Sequence, residues 1–396
     1  MKAKNSIFFR KVSPIERIFI ALDKIDTPFA IQMVLEGTGT LDESRWKKAV
    51  NKACEANPGS RLVYRGSSRW ARWVDTGVAP PVRIFDGSDW SAHGPEGASF
   101  LYDPLPFKET HSCEVALVQG DPVRVVFRTF HAVMDGRGTL FWVEDVFRAL
   151  RGEPLIGSSS TMTDVELVSL LDYPVKRQHR PKNCPAPTGP VDGDEAGQTW
   201  RRASVQGRFS KLIPQVAVLT AKETRKQGQG DVYFNVPVDL RSRMPNIRST
   251  ANLTRRIILN IPPEATVESV QREMMGKLDN LRGDSQLLKA FCYTPLGWLE
   301  KSMNFAMKRT LRDGLYRGTG TITNVGKLPM STLRGGGFEA QSGFIIPPGT
   351  DSKPVFMTLS GLGDSIDIVI AMPKMLATNG RLDELLSNIV SGLKPN

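Results

Sequence analysis

The 396-residue sequence contains few cysteines and lacks the cysteine spacings of a disulfide framework or a zinc site. Its four cysteines are Cys54, Cys113, Cys184 and Cys292, and no two of them form a CxxC pair. Their wide separation along the chain favours free, buried thiols in a reducing compartment. We therefore predict neither disulfides nor a bound metal.

The sequence also lacks a hydrophobic run of the ~20 residues that a helix needs to span a bilayer. We do not expect residues 1–20 to act as an export signal, because Arg10, Lys11, Glu16 and Arg17 interrupt the apolar stretch and no small-residue cleavage site follows. Hydrophobic residues make up 40% of the chain and charged residues 23%, which excludes wholesale disorder. These features predict a soluble, cytoplasmic protein with no membrane partner.

The chain carries 52 Lys and Arg against 41 Asp and Glu, a net charge of +11 that favours anionic partners. Nucleic acid is not expected, because zinc-finger spacing, an RNA-binding aromatic signature and a basic tail are all missing. A phosphorylated cofactor, an acidic protein partner and a merely basic surface all fit the charge. The absence of a G-x-S-x-G sequence argues against a serine hydrolase.

One segment divides the chain into two parts of similar length. Residues 176–197 are rich in proline, glycine and charge and poor in apolar side chains, which is typical of a linker or a long surface loop. We predict an N-terminal lobe over residues 1–178, a linker over 179–199 and a C-terminal lobe over 200–396.

Both parts mix helices and strands. Ser13, Pro14 and Glu16 form a capping box with proline at the first helical position, so a helix is predicted from residue 14. Apolar-rich runs at 113–119 and 123–130 predict a β-hairpin. Other predicted elements are strands at 30–35, 232–238 and 255–261, a hairpin of 355–359 with 366–371, and helices starting at Asp42 and covering 139–150, 266–281 and 382–393. This is an α/β mixture without regular βαβ alternation.

His131 is the residue with the clearest chemical meaning. It follows the predicted strand 123–130 directly and precedes a turn that contains Asp135, Gly136 and Gly138, after which a helix is predicted. A histidine there is held by the sheet, and its ordinary pKa suits proton transfer near neutral pH. A lone HxxxD pattern more often marks a strand end followed by a helix cap. The order strand, His, Asp-Gly, helix favours a catalytic role here.

Residues 130–136, FHAVMDG, resemble the HHxxxDG motif of nonribosomal peptide synthetase condensation domains. The shorter HxxxDG form occurs in stand-alone acyltransferases of the chloramphenicol acetyltransferase-like superfamily. Further segments resemble the family's motifs in the same order: 12–16 (LSxxE), 41–56 with 60–62 (early helix and LR strand), 237–241 (NLR), 250–253 (GN) and 323–326 (SNxG). Phe130 stands where condensation domains usually have a first histidine, which points to the stand-alone branch. The DFGWG motif of plant BAHD acyltransferases is absent.

The resemblance covers nearly the whole chain and implies a fold class and an activity. The fold is α/β with mixed sheets, in two chloramphenicol acetyltransferase-like lobes arranged as a V, with an active-site tunnel between them. The activity is acyl transfer from a pantetheine thioester to an amine or hydroxyl acceptor, forming an amide or ester in natural-product biosynthesis. The donor would be carried by a carrier protein or by coenzyme A, with no cofactor bound permanently. A monomer would suffice, because the tunnel lies within one chain.

The resemblance also implies roles for residues of the HxxxDG segment. His131 would be the general base, or would at least orient the nucleophile. Asp135 would pair with an arginine of the second lobe, for which Arg241 is the candidate, and so support the loop. Gly136 would leave room for the acceptor.

The donor of a hydrogen bond to the oxyanion is left open by the sequence. The backbone N–H of Gly136 and the side chains of Thr323 and Asn324 all fit this role. One alternative to an enzyme also stays open: a catalytically inactive condensation-like protein that recruits a carrier protein. The presence of His131 argues against it.

Overall fold

The computed structural model describes residues 8–171, 184–244, 246–281 and 293–396. Residues 179–183 of the predicted linker and Cys292 lie outside the described residues. The strands are β1 (Phe9–Lys11), β2 (Ala30–Gly39), β3 (Leu62–Arg65), β4 (Arg72–Asp75), β5 (Val82–Asp86), β6 (Cys113–Gln119), β7 (Val123–Phe130), β8 (Gln198–Gln206), β9 (Val232–Asp239), β10 (Thr254–Ile261), β11 (Gly320–Lys327), β12 (Arg334–Gly335), β13 (Phe338–Ile346), β14 (Val355–Leu362) and β15 (Ser365–Pro373). The helices are α1 (Pro14–Asp23), α2 (Glu43–Ala56), α3 (Gly136–Leu150), α4 (Asp164–Leu170), α5 (Leu212–Lys226), α6 (Val267–Asp279), α7 (Leu296–Asp313), α8 (Lys374–Ala377) and α9 (Arg381–Gly392).

Within these ranges the strands form two mixed sheets of six strands and one sheet of three. The first large sheet has the order β12-β13-β2-β7-β6-β5, and the second has the order β10-β9-β11-β14-β15-β8. The small sheet has the order β1-β4-β3. Most pairs are antiparallel, while β5 and β6, β11 and β14, and β11 and β9 run parallel. The predicted α/β mixture is therefore confirmed.

The strongest local signals in the sequence are confirmed. The hairpin of β6 and β7 has the predicted bounds, and its strands pair antiparallel. Helix α1 begins at Pro14 with Ser13 as its N-cap, and Glu16 completes the capping box. Helix α3 begins at Gly136, three residues earlier than predicted, because Asp135 caps it. The other predicted strands and helices are present with shifted ends.

Strand β13 is a feature that the sequence did not predict. It lies in the part assigned to the C-terminal lobe, yet it pairs with β2 in the first sheet. Gly37 of β2 permits this pairing, because a Cβ there would overlap the backbone of Glu339. The lobe boundaries at residues 178 and 200 remain a prediction. The structure shows in addition that β13 crosses from the predicted C-terminal lobe into the first sheet.

A buried contact layer joins the two large sheets. Trp200 of β8 packs near Phe344 of β13, with ring centroids 6.0 Å apart. The buried Arg202 guanidinium of β8 pairs with Glu36 of β2 at 2.5 Å and with Asp367 of β15 at 2.7 Å. Breaking such a pair would leave a buried charge uncompensated, so the sheets are held in one relative position.

The three described cysteines are buried free thiols, as predicted. Burial raises the pKa of each thiol above its ordinary value, so Cys54, Cys113 and Cys184 are protonated at neutral pH. Among the described helices, none is long and apolar enough to cross a membrane.

Candidate active site

The turn that carries His131 connects the end of β7 to the start of α3. Phe130, the last residue of β7, points into the core, where its ring stacks on Phe107 at 4.1 Å and meets the edge of Trp73. At the other end, Asp135 Oδ1 accepts a hydrogen bond of 2.7 Å from the backbone N–H of Gly138. The turn is therefore anchored by core packing on one side and by a helix cap on the other.

Four successive backbone carbonyls of this turn accept hydrogen bonds from side chains. Asn252 Nδ2 donates to the carbonyls of His131 and Ala132 at 2.8 and 3.0 Å. Arg10 Nη2 donates to the carbonyl of Val133 at 3.0 Å, and His131 Nδ1 lies 3.1 Å from the carbonyl of Met134. Because the turn is fixed by partners from distant parts of the chain, the orientation of His131 is fixed with it.

The contact with Met134 determines the tautomer of His131. A carbonyl oxygen can only accept, so Nδ1 carries the proton and Nε2 carries the lone pair of the neutral ring. The ring is half-buried and stacks on Phe19 with centroids 4.4 Å apart. Burial lowers the pKa of His131 below its ordinary value, although the Met134 carbonyl and the Asp135 charge oppose this. The imidazole is therefore neutral at pH 7, with Nε2 ready to accept a proton.

Asp135 and Arg241 come together in the structure as a two-pronged ion pair. Arg241 Nη1 lies 3.0 Å from Asp135 Oδ2, and Nη2 lies 3.1 Å from Oδ1. Both residues are buried, at 2% and 6% exposed. Asp135 Oδ2 also accepts from the backbone N–H of Leu253 at 2.9 Å. The pair thus connects the start of α3 to the segment between β9 and β10 in the second sheet.

Arg241 has further acceptors around its guanidinium. It donates to Asp239 Oδ1 at 2.8 Å and to the backbone carbonyls of Ser249 and Ala251. Burial acts to lower the pKa of Arg241, but the carboxylates of Asp135 and Asp239 outweigh it, so the pKa is raised. Arg241 therefore stays charged at every accessible pH, and its two hydrogen bonds orient the Asp135 carboxylate.

Gly138 permits the close approach of α3 to the second sheet. A Cβ at this position would overlap the backbone carbonyl of Thr250. We expect Gly138→Ala to destabilise the fold by about 1–3 kcal/mol, the range for overpacking. Gly276→Ala is the matched control, because Gly276 lies in α6 with open space around its Cβ position, and alanine there improves helix propensity by up to about 1 kcal/mol. Thermal unfolding measures both, and equal melting temperatures would contradict the close approach.

Gly136 has space beside it that faces the end of β11. A Cβ at Gly136 would meet only Val325, at 3.9 Å. Thr323 is half-buried in β11, opposite Thr358 of β14, and Asn324 is exposed. Asn324 Oδ1 accepts from the backbone N–H of Gly326 at 2.9 Å. The hydrogen bonds of the described residues join neither Thr323 nor Asn324 to His131, and their oxyanion role stays a prediction.

Four residues around His131 were missed as site residues by sequence reasoning, among them Phe29, whose ring centroid lies 5.7 Å from that of the imidazole. Arg10 and Asn252 hold the turn, and Phe19 stacks on the imidazole. Asn252 lies in the segment compared with the GN motif, which is a signal for its position. Arg10 had a weaker signal, as a charged residue in an apolar stretch shortly before the capping box.

The described residues contain no group of three or more His, Cys, Asp and Glu side chains that could hold a metal ion. His131 itself offers a neutral imidazole with a fixed tautomer. The ring stacks on Phe19, its Nδ1 is held by the Met134 carbonyl, and it can accept a proton at Nε2.

Comparison with known proteins gives matches of structure and not of sequence. Neither family models nor curated protein sequences match this chain. A variant of the starter condensation domain of rhizomide synthetase RzmA, crystallised with C8-CoA, matches with a TM-score of 0.64 and 14% identity, over 97% of this chain and 93% of that chain.

The first condensation domain of the calcium-dependent antibiotic synthetase matches in the same way. In complex with a substrate analogue, it gives a TM-score of 0.62 and 16% identity over 97% of this chain and 96% of that chain. Another structure of the same domain gives a TM-score of 0.63 and 16% identity, over 97% of this chain and 95% of that chain. At these identities the likeness concerns the fold, and it confirms the expected pair of chloramphenicol acetyltransferase-like lobes. The chain has the fold of a nonribosomal peptide synthetase condensation domain.

Proposed function

We propose that this protein is an acyltransferase that moves an acyl group from a pantetheine thioester to an amine or hydroxyl acceptor. The observation that carries the proposal is the state of His131, which is neutral with its proton on Nδ1 and its lone pair on Nε2. The condensation-domain fold supports a condensation or acyl-transfer role for this chain.

In the reaction, one proton moves from the acceptor to His131 and later from His131 to the departing thiolate. As the acceptor N–H or O–H attacks the thioester carbonyl, its proton passes to Nε2 of His131 and a new C–N or C–O bond forms. The C–S bond then breaks, and the departing thiolate takes the proton from Nε2. An amide or ester and a free pantetheine thiol result, and the imidazole returns to its neutral form.

Other residues are assigned supporting roles in this proposal. Asp135 and Arg241 hold the turn, and the open space at Gly136 leaves room for the acceptor. The backbone N–H of Gly136 or the side chain of Thr323 or Asn324 would stabilise the oxyanion. Holding donor and acceptor end to end would supply much of the remaining rate enhancement.

The donor is a pantetheine thioester carried by coenzyme A or by a carrier protein, both of which are anionic. The net charge of +11 suits either source. The C8-CoA complex of the RzmA domain supports a thioester of this chemical kind. We assign no permanently bound cofactor, a cytoplasmic location and activity as a monomer as parts of the same proposal.

Intact-mass spectrometry with two donors tests the proposal. An acyl-coenzyme A and a carrier protein loaded with the same acyl group are each mixed with the protein and a panel of amines and alcohols. Turnover with either donor supports acyl transfer and identifies the source of the thioester. Binding of the carrier protein without turnover would instead favour the inactive, recruiting alternative.

The pH dependence of the rate follows from the lowered pKa of His131. The active form is the neutral imidazole, so activity is present above its pKa and is lost as the pH falls through it. Because burial places that pKa below the ordinary 6.5, we expect kcat/KM for a hydroxyl acceptor to reach half of its plateau value at a pH below 6.5. With a hydroxyl acceptor, which does not titrate in this range, a rate that falls between pH 8 and 7 would contradict a buried neutral base.

A further inference from the structure

Arg10 connects the amino-terminal strand to the turn that carries His131. It lies in β1 and is only 3% exposed. One nitrogen of its guanidinium contacts Glu16, and Nη2 donates to the carbonyl of Val133 at 3.0 Å. A strand of three residues at one side of the small sheet thus contributes a buried charge to the site.

Glu16 holds Arg10 in this orientation. Glu16 is fully buried, and its Oε2 accepts from the backbone N–H of Ser13 at 2.9 Å and from Trp73 Nε1 at 3.1 Å. The carboxylate is therefore fixed by the start of α1 and by β4. Because both charges of the pair are buried and hydrogen-bonded, Arg10 cannot turn away from Val133 without leaving Glu16 uncompensated.

The carbonyl that Arg10 holds lies next to the one that sets the histidine tautomer. The Val133 carbonyl belongs to the peptide plane that leads into Met134, and the Met134 carbonyl accepts the proton of His131 Nδ1. A rotation of the first plane would move the second carbonyl away from the ring. Nδ1 would then lose its acceptor, and the proton would be free to occupy Nε2 instead.

We infer that Arg10 is a positioning residue that keeps the proton of His131 on Nδ1 and so keeps Nε2 as the basic nitrogen. Its effect on catalysis rests on the proposed function. The tautomer itself is a property of the folded chain, and it can be measured without any substrate.

The test uses variants that remove the contact with Val133 without leaving a buried charge unpaired. Arg10→Met combined with Glu16→Gln removes both charges, and glutamine can still complete the capping box. If the double variant does not fold, Arg10→Lys is tested instead. Lysine keeps the positive charge opposite Glu16 but offers one nitrogen in place of two. The matched control is Arg61→Met with Asp75→Asn, which removes an ion pair of 2.6 Å that borders the small sheet and does not touch the turn.

The first readout is nitrogen NMR of protein labelled in its histidines. The signals of His131 are identified by their loss in His131→Ala. We expect the wild-type protein and the control to show a protonated Nδ1 and an unprotonated Nε2. The Arg10 variant is expected to show a mixture with a protonated Nε2. A folded Arg10 variant with the wild-type tautomer would overturn the inference.

The second readout is acyl-transfer kinetics. We expect kcat of the Arg10 variant to fall about tenfold or more. The loss should not exceed the whole contribution of base catalysis, which is about 10²–10⁴-fold, and KM should change by less than about twofold. A merely structural role would alter the melting temperature and leave the tautomer unchanged, as in the control. If the wild-type protein transfers no acyl group but the tautomer changes as expected, the proposed function fails and the inference about Arg10 stands.

Discussion

Replacement of His131 by asparagine is expected to lower kcat by about 10²–10⁴-fold, the contribution typical of general base catalysis. Asparagine can still donate a hydrogen bond to the Met134 carbonyl, which lies 3.1 Å from Nδ1 of the histidine, so the turn should keep its shape. It has no counterpart of Nε2 and cannot accept the proton of the acceptor substrate. Rates from intact-mass spectrometry measure the effect.

Two further variants separate the loss of the base from a loss of structure. His131→Ala removes both the base and the hydrogen bond to Met134, so it should be as slow as the asparagine variant and less stable. His93→Ala is the control, since the His93 side chain is exposed and its backbone carbonyl accepts from Arg202 of β8 rather than from the turn. Activity of His131→Asn within about twofold of the wild-type rate would rule out the proton-accepting role.

Local signals explain which parts of the fold could be predicted from the sequence. The capping box at Ser13 and Glu16 and the hairpin of β6 and β7 depend on residues that are close together in the chain. Each was predicted at its observed position. Strand β13 was missed because its partner, β2, lies about 300 residues away, and nothing in its own residues specifies that pairing.

The candidate site shows the same division between local and distant information. The turn with His131, Asp135 and Gly136 is one continuous segment, and its position after a buried strand could be seen in the sequence. Arg241 was proposed only because the segment around it resembles a family motif. Arg10 and Asn252 contact the turn across more than 100 residues of sequence, so their roles could not be predicted from spacing.

Glu16 has a second role in the structure that the sequence did not predict. Glu16 was interpreted as part of a helix cap, which is confirmed. The structure shows that the same carboxylate also pairs with Arg10 and accepts from Trp73. A capping residue is normally at the surface, and its complete burial depends on tertiary contacts that the sequence pattern does not contain.

Loss of the ion pair between Asp135 and Arg241 is expected to have the largest effect on stability. Asp135→Ala removes the cap of α3, the acceptor of the Leu253 N–H and the partner of a buried guanidinium. Removing one member of a buried pair costs about 3–5 kcal/mol. Arg241 keeps Asp239 and two backbone carbonyls as partners, which favours the lower end of that range. Thermal and denaturant unfolding measure the loss.

A double-mutant cycle shows whether the two residues act together. Asp135→Asn keeps an oxygen for the Gly138 N–H, and Arg241→Met keeps much of the side-chain volume. Because both single variants remove the same ion pair, we expect the double variant to be more stable than the sum of the two losses predicts, by about 0.5–3 kcal/mol. Additive losses would mean that the ion pair contributes nothing beyond its separate contacts.

Activity measured well below the melting temperature separates the two roles of the pair. If Asp135 acts by orienting the turn, Asp135→Asn should lower kcat while the wild-type pH profile persists, because the base is still His131. If Asp135 itself took part in proton transfer, its loss would shift the acidic limb of the profile. If an Asp135→Ala variant kept the wild-type melting temperature and full activity, the supporting role of Asp135 would be ruled out. The described hydrogen bonds of Asp135 join it to Gly138, Arg241 and Leu253 and not to the imidazole, which favours the first outcome.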